Sequence, residues 1–218
     1  MSESQLEARK PDPDFTVKES MSDYEIIKLP VESRLRVMSD DESILLFDWV
    51  LSNQYERIDQ LVSYVNVTTD HYFGADCTPE SLKVLGEWFS RMIRTRPKSD
   101  EEIEKERAGL PASLHYQIDD REFTENTYSL ILDIALYFSQ VFLRNHPQIA
   151  WEICKSGSMN VDYNQPVLTG FGKKHLNPVR IIDVAAGGMH SGKHSGHRLF
   201  ELYEIWKRYL ASHQEQAA

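Results

Sequence analysis

The sequence predicts an α+β fold, in which a helical N-terminal two-thirds is followed by a small antiparallel sheet and a closing C-terminal helix. Two observations support this prediction. Apolar residues recur at helical spacing up to about residue 143, and short β-branched or aromatic runs separated by Gly, Asn, Ser and Pro follow. These strand-like runs come as a block after the helices, which is typical of an α+β domain and not of a doubly wound nucleotide fold.

The length and composition of the chain fit one domain. It has 218 residues, of which 41% are hydrophobic, and a chain of this size can form a core without disulfides. We expect a flexible arm over residues 1–21, a single domain over 22–212 and a frayed tail over 213–218. The run 24–29 is too short for its periodicity to distinguish a strand from an extended lead-in.

Four helices are predicted in the N-terminal two-thirds, from a start signal, an apolar stripe or both. Asn53-Gln54 is a point at which the first of them would divide in two. The fourth has the broadest apolar face, so we expect it to be the central core helix. The predicted ranges are 39–65, 78–97, 99–109 and 122–143.

Three strands and a last helix complete the predicted fold. The strands are expected at 149–154, 166–171 and 179–184, because these runs are short, apolar and bounded by turn residues. A Gly-rich connection over 187–196 leads to the last helix. That helix is predicted from Leu199 to Leu210, where apolar side chains again follow helical spacing.

The net charge indicates which class of partner the protein binds, and the cysteine content indicates the cellular compartment. The formal net charge of −10 disfavours nucleic acid, whose phosphates repel an acidic protein. Cys77 and Cys154 are far apart and have no metal-binding spacing, which favours reduced thiols. We find neither a secretory signal nor an apolar run of membrane-spanning length. We therefore expect a cytoplasmic protein that has no membrane partner.

The segment 187–198 is the most unusual stretch of the chain. It is locally basic and precedes a helix, where backbone N–H groups can bind an anion. The phosphate-loop pattern G-x-x-x-x-G-K-[ST] is not present, so a solvated Gly/Ser loop is the alternative interpretation. The candidate anion-binding residues are Lys193, His194, His197 and Arg198.

The sequence offers no constellation of catalytic or metal-binding residues. His190, His194 and His197 have ligand-like spacing, but a further donor in register is lacking, so neither a metal nor another cofactor is expected. Paired carboxylates lie in polar segments with nothing to shift their pKa, and no serine has a G-x-S-x-G context. We therefore expect a protein without catalytic activity.

Acidic runs at helix starts are the candidate partner-binding features. Complementarity to the helix dipole explains them without any function. If they converge on one face, they would also steer a basic partner towards the protein. The polar turn at 162–165 would place two further residues at a ligand, although turns favour such residues anyway. The candidate residues are Asp100, Glu101, Glu102, Asp119, Asp120, Asp162 and Asn164.

From Tyr128 onward the order of motifs carries a family resemblance. A helix that ends with Ile134–Phe142 is followed by Trp151-Glu152, then by 164–171 and 176–178, and finally by a helix with Leu202-Tyr203. This order resembles uncharacterised bacterial cytoplasmic proteins, some of which look like immunity proteins encoded beside polymorphic toxins. The Gly/His-rich stretch departs from their pattern.

The resemblance implies a non-catalytic immunity or antitoxin-type protein that binds and occludes a cognate toxin or another basic protein. It assigns no catalytic residue. The alternative is a phosphate- or nucleotide-binding protein, or an enzyme, that uses the loop 187–198. The two hypotheses differ in where that loop should lie: in a concave pocket for the anion binder, and on an open surface for the interaction protein.

Overall fold

The structure is a computed structural model that describes residues 24–31, 38–70, 72–111, 113, 115, 118–157 and 159–214. Within these ranges it contains helices and two small antiparallel sheets, and a helix closes the described part of the chain. The predicted α+β fold class is therefore confirmed. The helices are α1 (Asp40–Thr68), α2 (Ser81–Met92), α3 (Asp100–Ala108), α4 (Glu125–Asn145), α5 (Pro178–His190) and α6 (Arg198–Gln214). The strands are β1 (Thr95–Pro97), β2 (Arg121–Phe123), β3 (Ala150–Ile153), β4 (Pro166–Phe171) and β5 (Lys174–Leu176).

Helix α4 forms the centre of the molecule. Thr124 caps its first turn by accepting a hydrogen bond from the backbone N–H of Thr127. Every residue from Ser129 to Phe142 is buried, and α1 and α5 pack against it. A helix that is buried on all sides belongs to the core. The prediction of a central core helix is confirmed.

A buried ionic cluster links α4 to α1 and to the segment 24–31. The Arg57 guanidinium donates from Nε to Oδ1 of Asp133 at 3.0 Å and from Nη2 to Oδ2 at 2.7 Å. The Tyr24 hydroxyl donates to the same carboxylate. Burial raises the pKa of Asp133, and the hydrogen bonds from Arg57 and Tyr24 oppose that rise. This bidentate pairing offsets part of the desolvation of the two charges.

Residues 179–184 form the first part of α5, so the predicted strand there is wrong. Asn177 caps the helix by accepting from the Arg180 backbone N–H, and Pro178 occupies its first turn. The helix continues through Gly187 and Gly188, which shortens the predicted Gly-rich connection to 191–197. Its inward side chains recur at helical spacing; they are Ile182, Ala185, Ala186 and Met189.

The small antiparallel sheet has the order β3-β4-β5, with Trp151 opposite Leu168 and Leu168 opposite Leu176. Its third strand is therefore β5 and not the run at 179–184. Gly170 in β4 has a φ of +100°, and a Cβ there would overlap the Gln148 carbonyl, so the position requires glycine. The second sheet, β1-β2, has three residues in each strand and was not predicted.

The remaining differences concern the ends of elements. Helix α1 is continuous through Asn53, whose side chain donates to the Trp49 carbonyl. Helix α2 begins at Ser81 because Pro79 and Glu80 form a turn, and the run 24–29 is not part of a strand. The expected arm 1–21 and residues 215–218 of the expected tail lie outside the described residues. No described helix has both the length and the apolar character needed to cross a bilayer.

Candidate functional site

Two acidic runs that are separate in sequence lie side by side in the structure. Strands β1 and β2 pair antiparallel, with Thr95 opposite Phe123. The pairing continues past the strands, since the Lys98 backbone N–H donates to the Asp120 carbonyl at 2.8 Å. Helix α3 follows directly after Lys98. The runs that begin at Asp100 and at Asp119 therefore belong to one unit, which we call the acidic unit (the described residues of 95–123).

Helix α3 contributes nothing to the core. None of its residues is buried. It is held by a capping box, in which the Glu102 backbone N–H donates to the Ser99 hydroxyl and the Ser99 backbone N–H donates to the Glu102 carboxylate. Its acidic first turn also suits the positive end of the helix dipole. Local interactions therefore stabilise this helix without fixing its outer surface.

Arg96 neutralises part of the charge within the acidic unit. It pairs with Glu102 at 2.6 Å and also with Glu122. The Arg96 hydrogen bond, together with the Ser99 backbone N–H, lowers the pKa of Glu102 to about 2. Glu102 is thus a structural residue of the unit, although it is one of the predicted partner-binding residues.

Four of the predicted partner-binding residues form an exposed patch. Asp119 accepts a hydrogen bond from the backbone N–H of Arg121 at 3.1 Å. Within the described ranges none of the four has a basic side chain as a partner, so their charge stays available to another molecule. We call these residues the acidic patch; they are Asp100, Glu101, Asp119 and Asp120.

Asp162, another of the predicted partner-binding residues, is buried with an exposed fraction of 1%. Its carboxylate accepts from Nε2 of His175 at 3.0 Å, from Nδ2 of Asn177 at 2.9 Å and from Nη2 of Arg180 at 2.8 Å. These bonds join the loop 155–165 to the corner between β5 and α5. Its position is that of an internal anchor and not of a surface contact.

Asn164 is buried as well and holds the same loop. It adopts a left-handed backbone with φ of +63°, which asparagine tolerates better than most residues. Its Nδ2 donates to the Met38 carbonyl at 2.8 Å, and its Oδ1 accepts from Nζ of Lys155 at 2.7 Å. The turn chemistry that the sequence offered as the alternative to ligand binding accounts for this residue.

A Cys–His–Asp grouping, which is not evident from the sequence, lies at the same place. Sγ of Cys154 is 3.8 Å from Nε2 of His175, and this nitrogen also contacts Asp162. A nucleophile–base–carboxylate relay uses both ring nitrogens of the histidine, one for each neighbour. Here one nitrogen serves both, and Cys154 is only 4% exposed. The grouping has the geometry of a buried polar anchor.

The glycines of the 187–198 segment permit close packing. The Lys193 and His194 backbone N–H groups donate to the Gly188 carbonyl at 2.9 and 3.1 Å. A Cβ on Gly188 would overlap the His194 ring, and a Cβ on Gly196 would overlap the backbone of Glu87 in α2. The turn between α5 and α6 is thus packed onto its neighbours and does not form an open phosphate cradle.

The predicted anion-binding residues point to separate partners. His197 Nε2 lies 3.4 Å from Glu87 Oε1, and Arg198 Nη1 lies 3.2 Å from Glu201 Oε2. His194 packs on Gly188, and Lys193 is exposed. Within the described residues, no hydrogen bond or ion pair joins these four side chains to a shared partner. Across the described part of the chain, no group of three or more His, Cys, Asp or Glu side chains is arranged to hold a metal ion.

A small cleft in the described part of the chain lies away from both segments. It is a small apolar cavity of about 30 Å³ between the segment 24–31, α1, α4 and the sheet, and its lining includes Leu46, Leu132 and Trp151. Space of this size holds one or two water molecules. It does not fit a nucleotide.

Comparison with known proteins identifies no relative. A scan against protein-family models, a search of curated proteins and a search of solved structures each gave no match. The acidic patch is therefore the feature of this molecule from which a function is best inferred.

Proposed function

We propose that this protein binds a basic protein partner and acts as an immunity or antitoxin-type protein that covers the partner's active site. The proposal rests on one observation: two acidic runs converge on a unit whose helix has no buried residue. Dipole complementarity accounts for acids in the first turn of α3. It does not account for Asp119 and Asp120, which precede a strand.

Electrostatics explains what such a patch would do. Four exposed carboxylates on a chain of net charge −10 raise the rate at which a basic protein approaches in a productive orientation. A protein that acts on nucleic acid is itself basic around its active site, because it must bind phosphates. An acidic inhibitor is complementary to such a site.

The test uses the purified product of the gene that adjoins the gene for this protein. Its binding is measured by stopped-flow fluorescence and calorimetry, to the wild type and to the variant Asp100→Asn/Glu101→Gln/Asp120→Asn. We expect the variant to bind at least about tenfold more weakly, chiefly through slower association, because steering acts on the on-rate. The difference should shrink at high salt, which screens exposed charges.

A matched control removes the same charge elsewhere. The variant Glu80→Gln/Glu125→Gln/Glu152→Gln neutralises three exposed carboxylates outside the acidic unit. We expect it to bind as the wild type does, within about twofold. An equal loss in both variants would show that overall charge matters and the patch does not. No binding to the wild type would contradict the proposed function.

A further inference from the structure

Helix α1 exposes an apolar stripe on its outward face. Ile44, Leu51 and Tyr55 are 51%, 40% and 59% exposed. Their spacing of seven and then four residues places them on one line along the helix. Leu45, which is 54% exposed, lies about 100° further round the helix. Single exposed apolar residues are ordinary, whereas an aligned set on one rigid element is typical of a contact surface.

A row of carboxylates runs beside this stripe. Asp41, Asp48 and Asp59 are exposed, and in the part of the chain that the structure describes none of them pairs with a basic side chain. The one basic residue of α1 is Arg57, which is turned inward onto Asp133. Lys155 pairs with Asp40 at the first residue of the helix. Beyond that residue, the outward face of α1 combines apolar surface with carboxylates of its own.

The outward face of α1 is long, and the helix that carries it is well ordered. From Asp41 to Asp59 the helix rises about 27 Å, which matches a partner helix of similar length. A capping box of Ser39 and Glu42 fixes its start, and its inner side chains are buried against the core. A surface that is already ordered loses little conformational entropy when it binds.

We propose that this face of α1, formed by Ile44, Leu51 and Tyr55 beside Asp41, Asp48 and Asp59, docks a basic amphipathic helix of the protein partner. The inference rests on the proposed function and adds a second surface to it. The apolar side of the partner helix covers the stripe, and its Lys and Arg residues pair with the carboxylate row. A second copy of this chain is a poorer occupant, because two acidic rows would face each other.

The test uses a synthetic 18-residue peptide, helical and amphipathic, with leucines on one face and lysines beside them. Fluorescence anisotropy measures its binding to the full chain. We expect the variant Ile44→Ser/Leu51→Ser/Tyr55→Ser to bind the peptide at least about tenfold more weakly than the wild type, since central apolar contacts dominate such interfaces. The three positions are exposed, so the variant should keep its circular dichroism spectrum.

Two controls distinguish specific binding at this surface from non-specific hydrophobic binding. Val184→Ser removes an apolar side chain that is 65% exposed on α5, and it should bind as the wild type does. A peptide of the same composition in scrambled order should bind at least about tenfold more weakly than the amphipathic one. If the triple variant does not fold, Asp48→Asn/Asp59→Asn tests the same face through its charge. Equal binding by wild type and α1 variants, or no binding of the amphipathic peptide, overturns the inference.

Failure of this inference can be told from failure of the proposed function. The product of the adjoining gene is titrated with the wild type, the acidic-patch variant and the α1 variant. Loss of binding in both variants supports the two-surface arrangement. Loss only in the acidic-patch variant overturns the α1 inference and leaves the proposed function standing. A partner that does not bind the wild type contradicts the proposed function, whatever the peptide does.

Discussion

Asp133 places a carboxylate in the middle of the most extensively buried helix of the molecule. It is completely inaccessible to solvent, and its two oxygens are shared between Arg57 and Tyr24. A buried pair of charges gains little net stability over apolar residues of similar size, but the loss of one partner leaves the other unpaired. The cluster therefore links three parts of the chain in one specific arrangement: the segment 24–31, α1 and α4.

We expect Asp133→Asn to lower the free energy of unfolding by about 3–5 kcal/mol, because the buried Arg57 guanidinium loses its counter-charge. Urea unfolding followed by circular dichroism measures the change. Tyr24→Phe is the matched variant, since it removes a single hydrogen bond and should cost about 1–2 kcal/mol. Equal effects of the two substitutions would contradict this account of the cluster.

Glu102 gives the acidic unit a defined response to acid. Its pKa is lowered to about 2 in the folded protein from its ordinary value of 4.5. The carboxylate therefore stabilises the fold fully above pH 4.5, and this contribution is lost as the pH falls towards 2. Glu102→Gln keeps an acceptor for the Ser99 N–H but removes the charge. We expect its unfolding temperature to lie below that of the wild type at pH 7, and the gap to close as the pH falls from 4.5 towards 2.

Glu101→Gln serves as the control for this pH dependence. Glu101 is exposed in the same helical turn but has no basic partner in the described ranges. Its substitution should leave the acid limb of the stability curve unchanged. If the difference in unfolding temperature between the wild type and Glu102→Gln stayed constant down to pH 2, the Arg96–Glu102 pair would not stabilise the fold.

At the scale of elements, the turn between α5 and α6 depends on close backbone contacts. Gly86 in α2 and Gly196 in the turn approach so closely that a Cβ on either would overlap the backbone of the other segment. Gly187, in α5, has open space around its Cα. The glycines in this region thus differ in what they do, although they look equivalent in sequence.

We expect Gly196→Ala to lower the free energy of unfolding by at least about 1–3 kcal/mol, because the added methyl group forces α2 away from the turn. Gly187→Ala should instead raise it by about 0.5–1 kcal/mol, since alanine favours the helical conformation. Thermal unfolding of the two variants distinguishes them. A turn that formed a loose solvated loop would tolerate alanine at both positions.

Helix α5 shows why one element was assigned incorrectly from sequence. The run Val179–Val184 is rich in β-branched residues and short, which is the pattern of a buried strand. The Asn-Pro pair before it is also a helix start signal, and the apolar positions 182, 185, 186 and 189 follow helical spacing. Burial of that face against α4 decides in favour of the helix, and local propensity is overridden by tertiary packing.

At the scale of the whole molecule, patterns within one element could be predicted and contacts between elements could not. The broad apolar stripe of α4 was sufficient to identify the core helix, and the Ser99 start signal located α3. The two acidic runs are brought together by the pairing of β1 with β2, two three-residue strands on either side of α3, and strands this short carry too little pattern to be recognised. The anchor of Asp162, His175 and Arg180 likewise brings together residues from three different segments.

The separation of α3 from the core has a consequence for how this molecule can diversify. Substitutions at core positions change stability, whereas substitutions on an exposed surface element are mostly neutral to the fold. The outward residues of α3 can therefore drift in sequence while the body of the protein stays intact. We would expect related chains to keep the hydrophobic core and to vary in the exposed residues of α3. Each such variant would suit a different protein partner.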